Sequence, residues 1–192
     1  VTDVSSMFLS EPMDVSKFGL IYVGVQKNIG PAGVTIVIVR DDLVREDVLP
    51  FTPTIMRYTT QAKAKSLSNT PPAYGIYICG LVFKWLKEMG GLSVMAERNK
   101  EKAAILYDYL DQSKLFRGTA RKEDRSLMNV PFVTGSDELD ALFVAEAKSH
   151  GIESIKGHRS VGGMRASIYN AMPKAGVEAL VAFMAEFEKN NG

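Results

Sequence analysis

The segment Gln26-Lys-Asn-Ile-Gly-Pro-Ala-Gly33 lies between two apolar runs and decides how the first part of the chain folds. The runs, residues 20–25 and 34–39, are rich in isoleucine and valine, which is typical of buried β-strands. The Gly-Pro-Ala-Gly end of the segment is typical of a turn, and the connection is too short to contain a crossover helix. The sequence therefore predicts two neighbouring antiparallel strands, with Lys27 at the end of the first.

The rest of the chain alternates helical and extended patterns, which predicts an α/β fold. The Gly90-Gly91 pair ends one helical pattern, so we expect residues 1–90 in one domain and 91–192 in a small α/β or α+β domain. The predicted elements are a short helical segment at 41–48, a long loop at 49–68, helices at 73–88, 92–110, 137–150 and 174–188, and strands at 129–133, 152–155 and 164–168.

The composition argues against several classes of function. The 192 residues include 23 basic and 22 acidic side chains, so the net charge of +1 gives no field for nucleic acid or an acidic membrane. No run reaches the roughly 20 apolar residues of a membrane helix. The one cysteine, Cys79, permits neither an internal disulfide nor a structural metal cluster. We therefore expect a soluble cytoplasmic protein without nucleic-acid, membrane or metal binding, and a buried Cys79.

Lys27 has the placement of a lysine that bonds covalently to a carbonyl cofactor, at a strand end before a tight turn. Such chemistry needs a neutral amine, which desolvation or a nearby cation can supply. A solvated loop lysine has the same spacing, and most loop lysines have no chemical role. Spacing alone leaves both interpretations open.

The residues around Lys27 closely resemble the lysine segment of phosphoserine aminotransferases, within the class-V, fold-type I enzymes that use pyridoxal 5'-phosphate (PLP). Relatives in that branch commonly carry His or Ser before the lysine, whereas Gln26 stands here. The resemblance implies the C-terminal portion of the PLP-binding large domain, followed by the small C-terminal domain. It extends through Asp3-Val-Ser-Ser, Asn69-Thr-Pro-Pro, Gly80-Leu-Val-Phe-Lys-Trp-Leu-Lys87, Met128-Asn-Val-Pro-Phe132, Lys156-Gly-His-Arg159 and Val161-Gly-Gly-Met-Arg-Ala-Ser-Ile-Tyr-Asn-Ala-Met-Pro173.

The resemblance implies that Lys27 is the catalytic residue that holds PLP. Asp3 would lie against the pyridine nitrogen and keep it protonated, whereas taken alone it is typical of a cap or turn residue. Gln26 would contact the cofactor phosphate. Asn69 and Thr70 would reach the phosphate of the partner subunit's cofactor, which implies a homodimer with shared active sites. From the residues themselves, this pair predicts an N-terminal helix cap, and both interpretations can hold.

The resemblance also implies the substrate-binding residues. Arg165 would bind the substrate α-carboxylate, and His158 and Arg159 would bind the substrate phosphate. Arginine suits both anions because two parallel N–H bonds match two oxygens. Surface charge is the alternative for any one of these side chains. His150 closes a predicted helix and is typical of a favourable charge at a helix C-terminus.

The implied activity is PLP-dependent transamination, in serine biosynthesis, between O-phospho-L-serine with 2-oxoglutarate and 3-phosphohydroxypyruvate with L-glutamate. A related use of 4-phosphooxy-threonine in pyridoxine biosynthesis stays open. The alternatives are another class-V enzyme, such as a desulfurase or a glyoxylate aminotransferase, and a non-catalytic domain or fragment. The chain begins with Val1 rather than methionine, and the Gly-rich phosphate turn expected of the family does not appear. We therefore expect upstream sequence to be missing and the isolated chain to be inactive.

Two further predictions concern packing. The stretch 117–125 mixes basic and acidic residues, so we expect a solvated loop with Arg121 and Arg125 exposed. The helix at 73–88 is expected to bury the residues with core spacing, namely Leu81, Val82, Trp85 and Leu86.

Overall fold

The two strands beside Lys27 form as predicted, within a three-stranded sheet, in a computed structural model that describes residues 1–192. Strand β2 (Leu20–Gly24) pairs antiparallel with β3 (Thr35–Val39). Strand β1 (Thr2–Asp3) pairs with the other side of β2, in parallel. The chain divides into two compact units, Val1–Gly91 and Leu92–Gly192, and this sheet belongs to the first.

The first unit also contains helices α1 (Tyr58–Lys63) and α2 (Ala73–Glu88). The prediction of a loop over 49–68 is wrong where α1 and a 3-10 turn at Thr54–Met56 form. Six residues are too few for a helical period to be recognised in the sequence. The helical segment predicted at 41–48 is reduced to a 3-10 turn at Asp41–Leu43.

The core of the first unit lies beneath β2 and the turn that follows it. Alternation along β2 buries Ile21 and Val23 and leaves Tyr22 exposed. Cys79 of α2 is buried as predicted, and burial raises the pKa of its thiol. A Cβ on Gly30 would lie 2.8 Å from Cys79 Sγ, so glycine permits α2 to pack against the turn that contains Lys27.

Helix α2 buries fewer side chains than predicted. Leu86 is buried, Val82 and Trp85 are half-buried, and Leu81 is exposed. Tyr74, in the first turn, is 74% exposed. Apolar residues occur all around this helix, so their spacing did not identify the buried face.

The second unit contains another three-stranded sheet, in which every pairing is antiparallel. No helix of either unit is both long enough and apolar enough to cross a membrane. The strands of the second unit are β4 (Arg117–Gly118), β5 (Asn129–Val133) and β6 (Met164–Ser167). Its helices are α3 (Gly91–Gln112), which begins at the last residue of the first unit, α4 (Asp137–Ser149) and α5 (Lys174–Asn191).

The strand predicted at 152–155 does not form. Ser154 adopts a φ of 59°, which interrupts an extended run. The backbone touches the sheet at two places, through a bridge between Lys156 and Met164 and through the Arg165 N–H, which donates to the Ile155 carbonyl at 2.8 Å. The segment therefore runs beside β6 as an irregular connection.

Aromatic rings join the sheet and the helices of the second unit into one core. The ring centroid of Phe143 lies 5.1 Å from that of Phe116 and 5.2 Å from that of Phe187. Both contacts are edge-on, the geometry that the ring quadrupoles favour. The same core includes Phe132 of β5. The mixed α/β class predicted from the sequence is confirmed.

Arg125 is not the exposed residue that the charged stretch predicted. Its side chain is 16% exposed, pairs with Asp111 and lies 4.5 Å from the ring centroid of Tyr107. Arg121 is exposed, as predicted. The difference arises because Tyr107 and Asp111 are one turn apart on α3, so only the folded helix brings the ring and the carboxylate to Arg125.

Candidate active site

Lys27 lies in a helical turn directly after β2. The N–H groups of Ile29 and Gly30 both donate to the Val25 carbonyl, at 3.0 and 2.9 Å. Val25 and Ile29 are buried in the core, which anchors the turn on both sides of Lys27. The Lys27 side chain is half-buried, and its Nζ donates to Ser6 Oγ at 2.7 Å. The amine is therefore held at the sheet edge rather than free in solvent.

Parallel pairing brings Asp3 to this same edge. Because β1 and β2 run in the same direction, the residues that follow them emerge at one end of the sheet. Asp3 Oδ1 accepts hydrogen bonds from the Ser5 N–H at 2.8 Å and from Ser5 Oγ at 2.6 Å. Ser5 Oγ in turn accepts from the Gly24 N–H at 2.8 Å, so Ser5 connects the carboxylate to β2.

These four side chains, Asp3, Ser5, Ser6 and Lys27, form what we call the Asp3–Lys27 cluster. The pKa of Asp3 is lowered, chiefly by the hydrogen bonds from Ser5 and further by the charge of Lys27. The Asp3 carboxylate is exposed and therefore accessible to a bound molecule. Sequence reasoning did not assign roles to Ser5 and Ser6, although both stand in the Asp3-Val-Ser-Ser motif.

Gln26 lies next to the cluster, on the exposed side of the turn. A Cβ on Gly24 would lie 2.7 Å from Gln26 Oε1, so the amide folds back over the end of β2. Its amide is thus close to the strand end that carries Lys27.

Asn69 and Thr70 are exposed, in the segment that precedes α2. The predicted helix cap is wrong, because Pro72 occupies the cap position and no side chain caps the helix. Asn69 Nδ2 donates instead to the Thr70 carbonyl at 3.1 Å. Asn69 lines a cavity of about 510 Å³ beside β3, and no member of the Asp3–Lys27 cluster lines it. Within one chain, Lys27 Nζ donates to Ser6 and not to this pair.

His158 and Arg159 lie on a loop that we call the His158 loop, residues 157–163. The Gly157 N–H donates to the Gly163 carbonyl at 2.8 Å and closes the base of the loop. A Cβ on Gly157 would lie 2.0 Å from the Gly162 oxygen, so only glycine permits this approach. His158 and Arg159 are exposed and line a cavity of about 550 Å³, together with Lys156, Asp137 and Asp140.

Arg165 lies on β6, and its side chain is half-buried. Its Nε is buried and has no hydrogen-bond partner. Arg165 lines a smaller cavity of about 230 Å³, with Glu153, Ser154 and Ser167 among its walls. The structure thus places Arg165, which the resemblance assigned to the α-carboxylate, in a different cavity from His158 and Arg159, which it assigned to the phosphate.

His150 lies at the C-terminal end of α4, as predicted. Its ring packs against Phe183, with the two ring centroids 4.7 Å apart. No group of three or more His, Cys, Asp or Glu side chains is placed to share a metal ion.

Comparison with known proteins places this fold and these motifs in one family. Residues 1–180 match the family model described as aminotransferase class-V. The chain therefore belongs to the class-V aminotransferase family.

Within that family, the chain is similar to phosphoserine aminotransferases. It is 56% identical to the phosphoserine aminotransferase of Haemophilus influenzae and 57% identical to that of Lactiplantibacillus plantarum, over 191 residues in each case. The matches cover 100% of this chain but 52% and 53% of those relatives. The chain thus spans about half the length of the curated relatives that it matches.

Solved structures agree with the sequence relatives. A phosphoserine aminotransferase from Bacillus circulans subsp. alkalophilus superimposes with a TM-score of 0.95 at 49% identity, covering 99% of this chain and 53% of that one. A PLP-bound phosphoserine aminotransferase from Trichomonas vaginalis gives a TM-score of 0.91 at 42% identity, covering 95% and 52%. An alanine–glyoxylate aminotransferase from a Nostoc species is 16% identical with a TM-score of 0.78, which shows a shared fold alone.

The Asp3–Lys27 cluster fits a cofactor of the PLP type. Such a cofactor needs a primary amine for its aldehyde carbon and an anion for its ring nitrogen. The cluster supplies an amine on Lys27 and a carboxylate on Asp3, whose pKa is lowered further in favour of the ionised form. The chemistry of this donor set therefore matches the requirement, with both groups in one unit of the chain.

Proposed function

We propose that this chain supplies the cofactor lysine, the cofactor carboxylate and the substrate anion-binding side chains of a PLP-dependent phosphoserine aminotransferase. The Asp3–Lys27 cluster carries the proposal, because it supplies an amine and an ionised carboxylate at one sheet edge. The chain is also 56% identical to a phosphoserine aminotransferase. The reaction would interconvert O-phospho-L-serine and 2-oxoglutarate with 3-phosphohydroxypyruvate and L-glutamate, in serine biosynthesis.

Each member of the cluster has a role in this proposal. Bound PLP supplies an electron sink for the electrons released at the substrate Cα. Lys27 Nζ would hold the cofactor covalently and, once displaced by the amino substrate, carry a proton to and from Cα. Ser6 Oγ, which accepts from Nζ, would keep the displaced amine at the sheet edge. Asp3 would pair with the ring nitrogen and keep it protonated.

The cofactor phosphate would have ligands from two subunits. Gln26 lies beside Lys27 and would donate its amide N–H to a phosphate oxygen. Asn69 and Thr70 would donate to the phosphate in the partner subunit, and Asn69 lines a cavity that no member of the cluster lines. This arrangement makes the enzyme a homodimer with shared sites.

We propose a cytoplasmic enzyme in which residues 1–90 belong to the large domain and residues 91–192 form the small domain.

Substrate recognition would depend on the second unit. Arg165 would bind the α-carboxylate with its guanidinium fork. His158 and Arg159 would bind the phosphate group that separates this substrate from unphosphorylated amino acids. Their position on an exposed loop closed by glycines suits contact with a substrate group that enters from solvent.

The role of Lys27 is tested in the natural protein that carries this sequence. Lys27→Ala should lower the transamination rate at least about a hundredfold, since it removes both the covalent attachment and the proton carrier. Lys17→Ala, at an exposed lysine in the same unit, is the matched control and should keep full activity. Borohydride reduction followed by peptide mass spectrometry should place the cofactor adduct on Lys27. An adduct on another lysine, or an active Lys27→Ala variant, would refute the assignment.

The substrate class is tested separately, with phosphoserine, alanine and cysteine as amino donors. Phosphoserine should be preferred, and the preference should fall in His158→Ala and Arg159→Ala. Equal rates with alanine, or sulfur release from cysteine, would favour another class-V activity.

The isolated chain should bind PLP weakly or not at all, because it spans about half of its relatives and lacks their remaining residues.

A further inference from the structure

The two histidines of the chain differ in the partner of Nδ1, which is an acceptor for His150 and a backbone N–H donor for His158. His150 Nδ1 lies 2.9 Å from the Glu146 carbonyl oxygen. A carbonyl oxygen can only accept, so this nitrogen carries the proton and donates it. Ser149 Oγ, which is 3.3 Å from the same nitrogen, donates to that carbonyl at 2.7 Å. The neutral His150 ring is therefore the Nδ1–H tautomer.

His158 Nδ1 faces Ser160 instead. The Ser160 N–H donates to this nitrogen at 3.3 Å, and Ser160 Oγ lies 2.6 Å from it. The hydroxyl can donate or accept, but the backbone N–H can only donate. The backbone N–H can donate only to a ring nitrogen that carries no proton, so both contacts are satisfied together only when Nδ1 accepts. The neutral ring then carries its proton on Nε2.

The His158 loop holds this pair in place. The Val161 and Gly162 N–H groups both donate to the His158 carbonyl at 2.9 Å, which folds the loop back on Ser160. The base is closed between Gly157 and Gly163. The imidazole orientation is thus set within the loop, by a partner two residues away.

The surroundings of His158 supply charge of both signs. Arg159 and Lys156 line the same cavity and can attract an anion. Asp137 and Asp140 also line it, and Asp140 accepts from the Thr134 N–H and hydroxyl. In such a cavity, a directed neutral N–H donor selects the position of an anionic oxygen, whereas the arginine and the lysine supply the attraction.

We propose that Ser160 is a positioning residue, which holds His158 in the Nε2–H tautomer so that Nε2 donates to an oxygen of the substrate's anionic group. The identification of that group as a phosphate rests on the proposed function. The tautomer itself follows from the contacts within the loop and is independent of the reaction.

The tautomers can be measured by long-range proton–nitrogen correlation NMR on the chain labelled with ¹⁵N-histidine, at a pH where both rings are neutral. The chain has 2 histidines, so His150→Gln assigns both signals. We expect opposite tautomers, with Nε2–H for His158 and Nδ1–H for His150. Ser160→Ala should increase the population of the other His158 tautomer, and Ser160→Thr should restore the original pattern. A His158 ring protonated on Nδ1, or an unchanged ratio in Ser160→Ala, would overturn the proposal.

The link to anion binding is tested with inorganic phosphate as the probe. Phosphate should shift the His158 signals, and Ser160→Ala should weaken its affinity about three- to tenfold, the loss expected for one oriented hydrogen bond. Arg159→Ala should weaken phosphate binding while leaving the His158 tautomer unchanged. Phosphate that binds with equal affinity to wild type and Ser160→Ala would overturn the positioning role.

The same variants separate this proposal from the proposed function. In the natural enzyme, Ser160→Ala should raise the KM for phosphoserine about three- to tenfold with little change in kcat, and Ser160→Thr should recover it. If the natural enzyme does not use phosphoserine, the proposed function is wrong, whichever tautomer His158 adopts. A normal KM in Ser160→Ala, in an enzyme that does use phosphoserine, would overturn the role of Ser160 alone.

Discussion

Replacing Glu188 should destabilise the second unit more than any single loss of surface charge. Glu188, near the end of α5, accepts four hydrogen bonds, one from the last turn of α3 and three from the segment that follows it. Its Oε2 accepts from Tyr109 Oη at 2.6 Å and Ser113 Oγ at 2.8 Å. Its Oε1 accepts from the backbone N–H groups of Lys114 at 2.7 Å and Leu115 at 3.1 Å.

The expected loss of stability in Glu188→Ala depends on which donors still have another hydrogen-bond partner once the carboxylate is removed. The Lys114 N–H is exposed and can bind water, and the Leu115 N–H keeps Ser113 Oγ at 3.2 Å. The two part-buried hydroxyl bonds remain as the main loss. A hydrogen bond to a charged acceptor contributes about 1.5 kcal/mol to stability, so we expect the free energy of unfolding to fall by about 3 kcal/mol. Glu188→Gln should lose about 1 kcal/mol, since its amide can still accept from the backbone and donate to the hydroxyls.

The pH dependence provides an independent check. Burial tends to raise the pKa of Glu188, but the hydrogen bonds from Tyr109, Ser113 and the two backbone N–H groups outweigh it, and the net pKa is lowered. A carboxyl whose pKa is lowered by folding stabilises the protein above its unfolded pKa, and this contribution disappears as the pH falls through the folded value. The difference in stability between wild type and Glu188→Ala should therefore shrink in acid.

Urea denaturation followed by circular dichroism would measure the free energy of unfolding of the chain and its variants. The expected loss in Glu188→Ala corresponds to a melting temperature lower by about 6–12 °C for a chain of this length. Glu186→Ala, at an exposed position of the same helix, is the matched control and should change little. A loss below about 1 kcal/mol in Glu188→Ala, or one equal to that of Glu186→Ala, would refute the reasoning.

Two further outcomes are expected. Burial lowers the pKa of Lys102 to about 8, so the unfolded chain binds more protons between that pH and the ordinary lysine pKa of 10.5. The free energy of unfolding should therefore rise with pH in this interval, by up to about 1.4 kcal/mol per pH unit. Lys102→Met should abolish this rise, whereas the control Lys189→Met, at an exposed lysine, should retain it. Gly157→Ala should open the His158 loop and weaken phosphate binding, because its Cβ would lie 2.0 Å from a backbone oxygen, whereas at Gly118 the nearest atom is 3.9 Å away and alanine should be tolerated.

Local patterns account for the parts of the fold that the sequence predicted. Strands β2 and β3 follow from two apolar runs and a short turn, and their antiparallel pairing follows from the length of that turn. Helix α4 follows similarly from Ser136, which caps it, and from the acidic residues of its first turn. In each case the determining residues lie within a few positions of one another.

The mistaken predictions concern features that depend on distant residues. The buried face of α2 depends on which elements cover it, and apolar residues all around the helix give no indication. Arg125 was expected in solvent because its neighbours are charged, but it pairs with Asp111, 14 positions earlier. The strand at 152–155 fails at Ser154, whose positive φ could not be deduced from its residue type.

The sequence by itself determined the family, the strand pair around Lys27 and the residues proposed for catalysis, because these depend on short motifs in a fixed order along the chain. Only the tertiary structure decided that Lys27 meets Ser6, 21 positions earlier, and that Ser5 ties Asp3 to β2. It also decided that Arg165 lines a different cavity from His158. The physical reason is that parallel pairing of β1 with β2, and the path of the chain into β6, depend on contacts between distant residues, which leave no periodic pattern in the sequence.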